Sequence, residues 1–200
     1  MLMSRNKQRG FALVEMMVVV LITVILTAIA IPNLLDAIRR YQLESSVRSA
    51  ANTLLVARYE AIRRNQLATT IYREVPAPPV YGIDTNGNLS LDADESIFPL
   101  SQNVRITNVG APALTTMGPN YDCAPACPAQ PNKSPFGVNF SPRGTAMQQL
   151  TSGPQNYWIE ATAVYVVFVQ HQIDGDWAAV TITPAGRTRV WFWNGTSWVF

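Results

Sequence analysis

An unbroken apolar run from Phe11 to Ile31 constrains this 200-residue chain more than any other feature. It reads FALVEMMVVVLITVILTAIAI, 21 residues with a single charge, Glu15. As a helix rising about 1.5 Å per residue it spans about 32 Å, the thickness of a bilayer's hydrocarbon core. The residues before it, MLMSRNKQRG, carry Arg5, Lys7 and Arg9 and no acid. That asymmetry predicts that the N-terminus stays in the cytoplasm and that everything after Pro32 is exported. A secretory signal has a shorter apolar core followed by a small-residue cleavage site, so the run is too long for one.

Glu15 does not fit a plain anchor. A carboxylate within a membrane helix costs up to about 2.5–3.5 kcal/mol on insertion scales, and such groups are ordinarily functional and paired. The apolar run contains no cation to pair with it. Cleavage after Gly10 would create one, the α-amine of Phe11, at a similar depth. A neighbouring subunit shifted along a filament could offer that amine to Glu15. The alternative is a carboxylate that snorkels to the interface or is neutralised by protonation.

Two hundred residues suit one domain plus an appendage. The formal charge of +2 belongs to the precursor. Without Arg5, Lys7 and Arg9 the 15 basic residues fall to 12 against 13 acidic ones, a net of −1. Charge therefore gives no ground for a nucleic-acid partner.

Pro32 can kink a helix without ending it, and the periodicity resumes beyond it. Leu43, Val47, Ala50, Leu54, Ala57 and Ala61 recur at spacings of four and three, with Leu55, Tyr59 and Ile62 widening the stripe. An amphipathic helix reaching about residue 67 is expected, its apolar face covered by a sheet. Arg39, Arg40, Arg48, Arg58, Arg63 and Arg64 fall mostly off the stripe and read as a solvated or subunit-facing surface. From Ala68 the pattern is strand-like. Strands are expected over residues 68–75, 104–107, 136–140, 163–172, 177–183 and 187–193. Asp174-Gly175, Pro184-Ala185-Gly186 and Asn194-Gly195 mark turns, and the Pro-rich stretch from Leu114 to Ser134 reads as irregular.

Arg9-Gly10-Phe11-Ala12-Leu13-Val14-Glu15 and the apolar run resemble the type IV prepilin cleavage and methylation motif: basic residues, Gly, Phe, then Glu at the fifth mature position. Ala12 stands where Thr is common and Val14 where Ile or Leu is common. The resemblance implies cleavage between Gly10 and Phe11 by a prepilin peptidase, N-methylation of Phe11, a role for Glu15 in assembly and a helix-kinking role for Pro32. Three further stretches are similar to the GspH/FimT family: Tyr81 to Asn88 with Asp94-Glu95, Val138 to Gly144, and Thr183 to Arg189.

The implied fold is α+β and pilin-like, a long N-terminal helix packed on a C-terminal antiparallel β-sheet domain. Its parts would be a leader (1–10), a transmembrane and filament-core helix (11–31), an amphipathic continuation (32–67) and a periplasmic β-rich domain (68–200). The implied function is that of a minor pseudopilin of a type II secretion system, incorporated into a short periplasmic filament. The alternatives are a minor type IV pilin of the FimT/FimU kind, priming pilus assembly or touching DNA, and a membrane-anchored periplasmic enzyme. Implied partners are the prepilin peptidase, other pilin or pseudopilin subunits, the inner-membrane assembly platform and, before assembly, the inner membrane itself.

Other residues carry weaker chemistry. From Asp84, the residues Asp84, Asn86, Asn88, Ser90, Asp92 and Glu95 fall at positions 1, 3, 5, 7, 9 and 12 of an EF-hand-like count, the oxygen ligands calcium prefers. Position 6 is Leu89 rather than Gly, so a polar hairpin loop is the competing reading. Arg187 and Arg189, in the Gly-Arg-x-Arg that some DNA-binding FimT-type pilins are thought to use, would point the same way on a strand and reach adjacent phosphates. A turn-and-strand role competes. Cys123 and Cys127 lie in a Pro-rich stretch with one histidine in the whole chain, too few ligands for a closed zinc site. A loop disulfide in an oxidising compartment, or unpaired thiols, are the two readings. No Ser-His-Asp or Cys-His device assembles around the lone His171, so catalysis is not expected.

Overall fold

A computed structural model describes residues 13–74, 77–117, 137–152, 155–161 and 164–200. The chain divides into two compact units, residues 1–39 and 40–200, at a point inside its one long helix. That helix, α1 (Leu13–Arg64), is continuous through Pro32. It stops three residues earlier than expected because Asn65 adopts a left-handed φ of 52°. Gln66 N–H then reaches back to the Ala61 carbonyl, the closing bond of a left-handed C-cap. Arg63 and Arg64 occupy the last turn, where cations complement the helix dipole.

Within residues 40–200, α1 packs on two antiparallel sheets rather than one. Eleven strands follow it: β1 (Ala68–Arg73), β2 (Val80–Asp84), β3 (Ile97–Pro99), β4 (Val104–Ile106), β5 (Asn139–Phe140), β6 (Ala146–Ser152), β7 (Gln155–Glu160), β8 (Tyr165–His171), β9 (Trp177–Ile182), β10 (Thr188–Trp193) and β11 (Trp198–Val199). The six-stranded sheet runs β3-β2-β1-β5-β6-β7 and the five-stranded sheet β11-β10-β9-β8-β4. The turns at Asp174-Gly175 and Pro184-Ala185-Gly186 join β8 to β9 and β9 to β10, as expected.

The helical stripe is the centre of the core. Leu43, Val47, Ala50, Leu54, Ala57 and Ala61 are all buried against Tyr81, Ile83 and Phe140 of one sheet and Val167, Val180 and Ile182 of the other. Alanines at three of those six positions let the helix backbone approach both sheets closely. The stripe is narrower than the sequence implies, since Tyr59 and Ile62 are exposed.

β9 is buried along its whole length. It lies inside its sheet, and both of its faces are covered. Ala178, Val180 and Ile182 face the main core, while Ala179 and Trp177 join a second cluster with Trp191, Trp198, Val166 and Met117. The tryptophan-rich tail thus builds a small core on the far side of the sheet. Trp198 Nε1 donates to the Ala113 carbonyl, fixing the segment that leads into a 3-10 turn at Leu114–Met117.

Candidate functional site

Over its described residues the N-terminal unit presents an apolar surface broken by Glu15 and, past Pro32, by Asn33 and Asp36. Every residue from Leu13 to Ile38 is exposed. The helix that holds it is long and apolar enough to cross a membrane by length and composition. Its small polar side chains are satisfied within the helix. Thr23 Oγ1 donates to the Val19 carbonyl at 2.5 Å and Thr27 Oγ1 to the Thr23 carbonyl at 2.8 Å. Asn33 Nδ2 donates to the Ile29 carbonyl at 3.3 Å. Glu15 differs. Among the described residues no side chain pairs with it, and it stands among exposed Leu13, Val14, Met16 and Met17. The expected cleavage and methylation positions, Gly10 and Phe11, lie outside the described residues. So do Cys123 and Cys127.

The segment from Asp84 to Glu95 folds as a loop organised by its own carboxylates. Asp84, 1% exposed, accepts N–H bonds from Asn86 and Gly87 on Oδ1 and from Leu89 on Oδ2, at 2.7–3.0 Å. Glu95 closes the far end, accepting from Thr85 N–H at 2.7 Å and Asp92 N–H at 3.0 Å. Leu89 takes the left-handed φ of 60° where a calcium loop uses glycine. The Asn86 and Asn88 amides both donate to Asp92 Oδ2, while their carbonyl oxygens accept Asn88 and Ser90 N–H groups. Those two donors, Asn86 first, hold the Asp92 carboxyl below its ordinary value. The loop's oxygens are thus turned toward its own N–H groups. Among the described residues no three His, Cys, Asp or Glu side chains are grouped to hold a metal ion.

The two remaining sequence-marked segments meet on α1. Gly144 and Gly186 each end a turn with φ of +77°, and the Gly144 carbonyl lies 2.5 Å from where a Cβ on Gly186 would stand. Arg58 reaches over from the helix, donating from Nε to the Gly144 carbonyl at 2.9 Å and from Nη1 to the Gly186 carbonyl at 3.3 Å. Arg58 is therefore a partly buried clamp, not the solvated cation its position off the stripe implied. Of the other helix arginines, Arg39 is half-buried, while Arg40, Arg48, Arg63 and Arg64 are exposed. Arg48 pairs with Glu44 at 2.7 Å, and Arg63 and Arg64 share Glu60 at 2.6 and 2.9 Å. The Arg63 bond, followed by the weaker Arg64 one, outweighs desolvation and holds the Glu60 carboxyl below its ordinary value.

Arg187 and Arg189 are both exposed. Arg187 sits in the turn, ahead of β10. Arg189 is stacked, its guanidinium 4.7 Å from the Phe200 ring centre and 5.6 Å from that of Trp191. His171 is buried in β8, with Nε2 3.2 Å from Gln42 Oε1 and Nδ1 3.4 Å from Asp174 Oδ2. It ties α1 to the β8–β9 hairpin.

Residues 5–31 match the family model of the prokaryotic N-terminal methylation motif. No curated protein and no solved structure matches the chain. The matched stretch holds Arg5, Lys7, Arg9, Gly10, Phe11, Glu15 and the whole apolar run. The chain is thus prepilin-like: its N-terminus carries the processing motif of type IV pilin-like proteins, and its long helix on antiparallel sheets is a pilin-like α+β fold. The motif implies processing by a prepilin peptidase and assembly with pilins, and with the apolar helix it marks a membrane-anchored prepilin.

Proposed function

We propose that this protein is a minor pseudopilin of a type II secretion system, cut after Gly10, methylated on Phe11 and built into a short periplasmic filament that supports protein export. One observation carries the assembly part of that reading. A carboxylate with no partner among the described residues stands on the exposed apolar part of α1, the fifth residue after the proposed cut. A bilayer accommodates the helix but leaves Glu15 uncompensated. A filament core accommodates both, because a neighbouring copy's new Phe11 amine supplies the missing cation in a medium where charge pairs are strong. The inner membrane holds the precursor until an assembly platform extracts it, and the partners are other pilin or pseudopilin subunits. No reaction is assigned to the protein.

Secretion is favoured over DNA uptake by the charge of −1 left after processing and by the packing of Arg189 against the Phe200 and Trp191 rings. The exposed Arg187 and Arg189 are what support the second reading, a minor type IV pilin of the FimT/FimU kind. A chain deletion separates the two: loss of exported proteins with pili intact supports secretion, whereas loss of pili or DNA uptake supports the pilus. The assembly claim is tested by Glu15→Ala. The variant should be cleaved normally yet be depleted from sheared filaments or crosslinked complexes. Wild-type incorporation would rule the pairing out.

A further inference from the structure

A cleft of about 830 Å³ opens at one end of the five-stranded sheet, where the β8–β9 and β10–β11 turns face residues 40–44 of α1. Its size falls in the range of about 300–1,000 Å³ typical of small-ligand sites. Leu43, Phe192 and Trp193 form its apolar side. Trp193 is held from behind by Trp198, ring centres 5.3 Å apart, and remains partly exposed. Arg40, Glu44 and Asp176 form the polar side. The Arg40 and Asp176 side chains are exposed and make no hydrogen bond or ion pair among the described residues. Glu44 commits Oε1 to Arg48, leaving Oε2 open.

This lining selects a ligand class by elimination. Phosphates and nucleic acids meet two carboxylates against one guanidinium, the wrong sign. A hydrocarbon chain would strip water from three charges and return no hydrogen bond. A peptide that docks by completing a strand edge finds none in the lining, because β10 is already bonded on both sides, to β9 and β11. A neutral sugar meets every group present. Its ring offers a C–H face to an indole, and its hydroxyls donate to carboxylates and accept from a guanidinium.

We propose that this cleft binds a neutral glycan, with a sugar ring stacked on Trp193 and its hydroxyls held by Arg40 and Asp176. The filament role stands independently of it. The test titrates chitotetraose and cellotetraose into the full-length protein, kept in a detergent without sugar headgroups, while tryptophan fluorescence is followed. One of the two should give a saturable change. Trp193→Ala and Asp176→Ala should each weaken it about tenfold or more, the scale of one lost stack or charge-assisted hydrogen bond. Trp158→Ala, at an exposed position of β7, should leave it unaltered. The absence of a saturable change with both sugars would overturn the proposal, as would equal binding by Trp193→Ala and Asp176→Ala. Equal binding of a neutral tetrapeptide, or a change that follows protein rather than sugar concentration, would overturn it too, by identifying a peptide or a second copy as the occupant.

Discussion

Arg58 shows what a single side chain contributes that periodicity hides. It lies off the apolar stripe beside arginines that do face solvent, so spacing alone puts it with them; only its distance to two carbonyls more than eighty residues away separates it. Charged donors to carbonyls are worth about 1.5–3 kcal/mol each when well shielded. Partial exposure lowers that, and Arg58→Ala should cost about 1–3 kcal/mol in denaturant unfolding, with Arg58→Lys in between because an ammonium cannot fork to both turns. No change in the unfolding midpoint would show the clamp to be idle. Gly186→Ala should be at least as damaging, because it combines a left-handed φ with a Cβ 2.5 Å from the Gly144 carbonyl oxygen. The glycine was legible as a turn residue. The carbonyl it must clear was not, because that atom belongs to a distant segment. Glu15 is the reverse case: its sequence context alone makes it anomalous, and the structure adds only that no described residue answers it.

At the scale of elements, strong periodicity was readable and weak periodicity was not. The six stripe residues of α1 are buried as expected, and replacing Ala57 by Leu should destabilise the domain by about 1–3 kcal/mol through overpacking between helix and sheets. An unchanged melting temperature would mean the helix stands further off than the structure places it. The hairpin β6–β7 has little signature in the sequence because its strands, AMQQLTS and QNYWIE, are rich in Gln and Asn and barely alternate. β2 was obscured by the polar loop that follows it. Its Tyr81 is fully buried, with its hydroxyl 2.8 Å from Thr70 Oγ1 of β1. Burial pushes the Tyr81 phenol well above its usual value and lifts Tyr165 of β8, like Tyr72 of β1, to about 12. These phenols ionise more readily once unfolded, so their contribution to stability is complete below about pH 10 and is lost as pH climbs toward the raised values. Circular dichroism across pH 9–12 should show cooperative unfolding coincident with ionisation of these three buried phenols. Ionisation of all seven tyrosines, these three included, near pH 10 in a still-folded protein would contradict the burial.

For the whole molecule, the sequence separates an apolar anchor from a β-rich body, whereas the boundary between the two compact units falls inside α1, at Arg39–Arg40. That the body has two sheets was not legible. Strand order depends on contacts between distant segments, such as Ala68 with Phe140 and Val104 with His171, which no local pattern encodes. The second core was hidden for the same reason, since the tail tryptophans find their cover in residues 111–117. The proposed function rests on a terminus that proteolysis must create, and intact mass spectrometry of the protein isolated from its cells reads that terminus directly. The account predicts a chain ten residues shorter than the sequence, beginning at Phe11 and heavier by one methyl group. A chain that still begins at Met1 would contradict it.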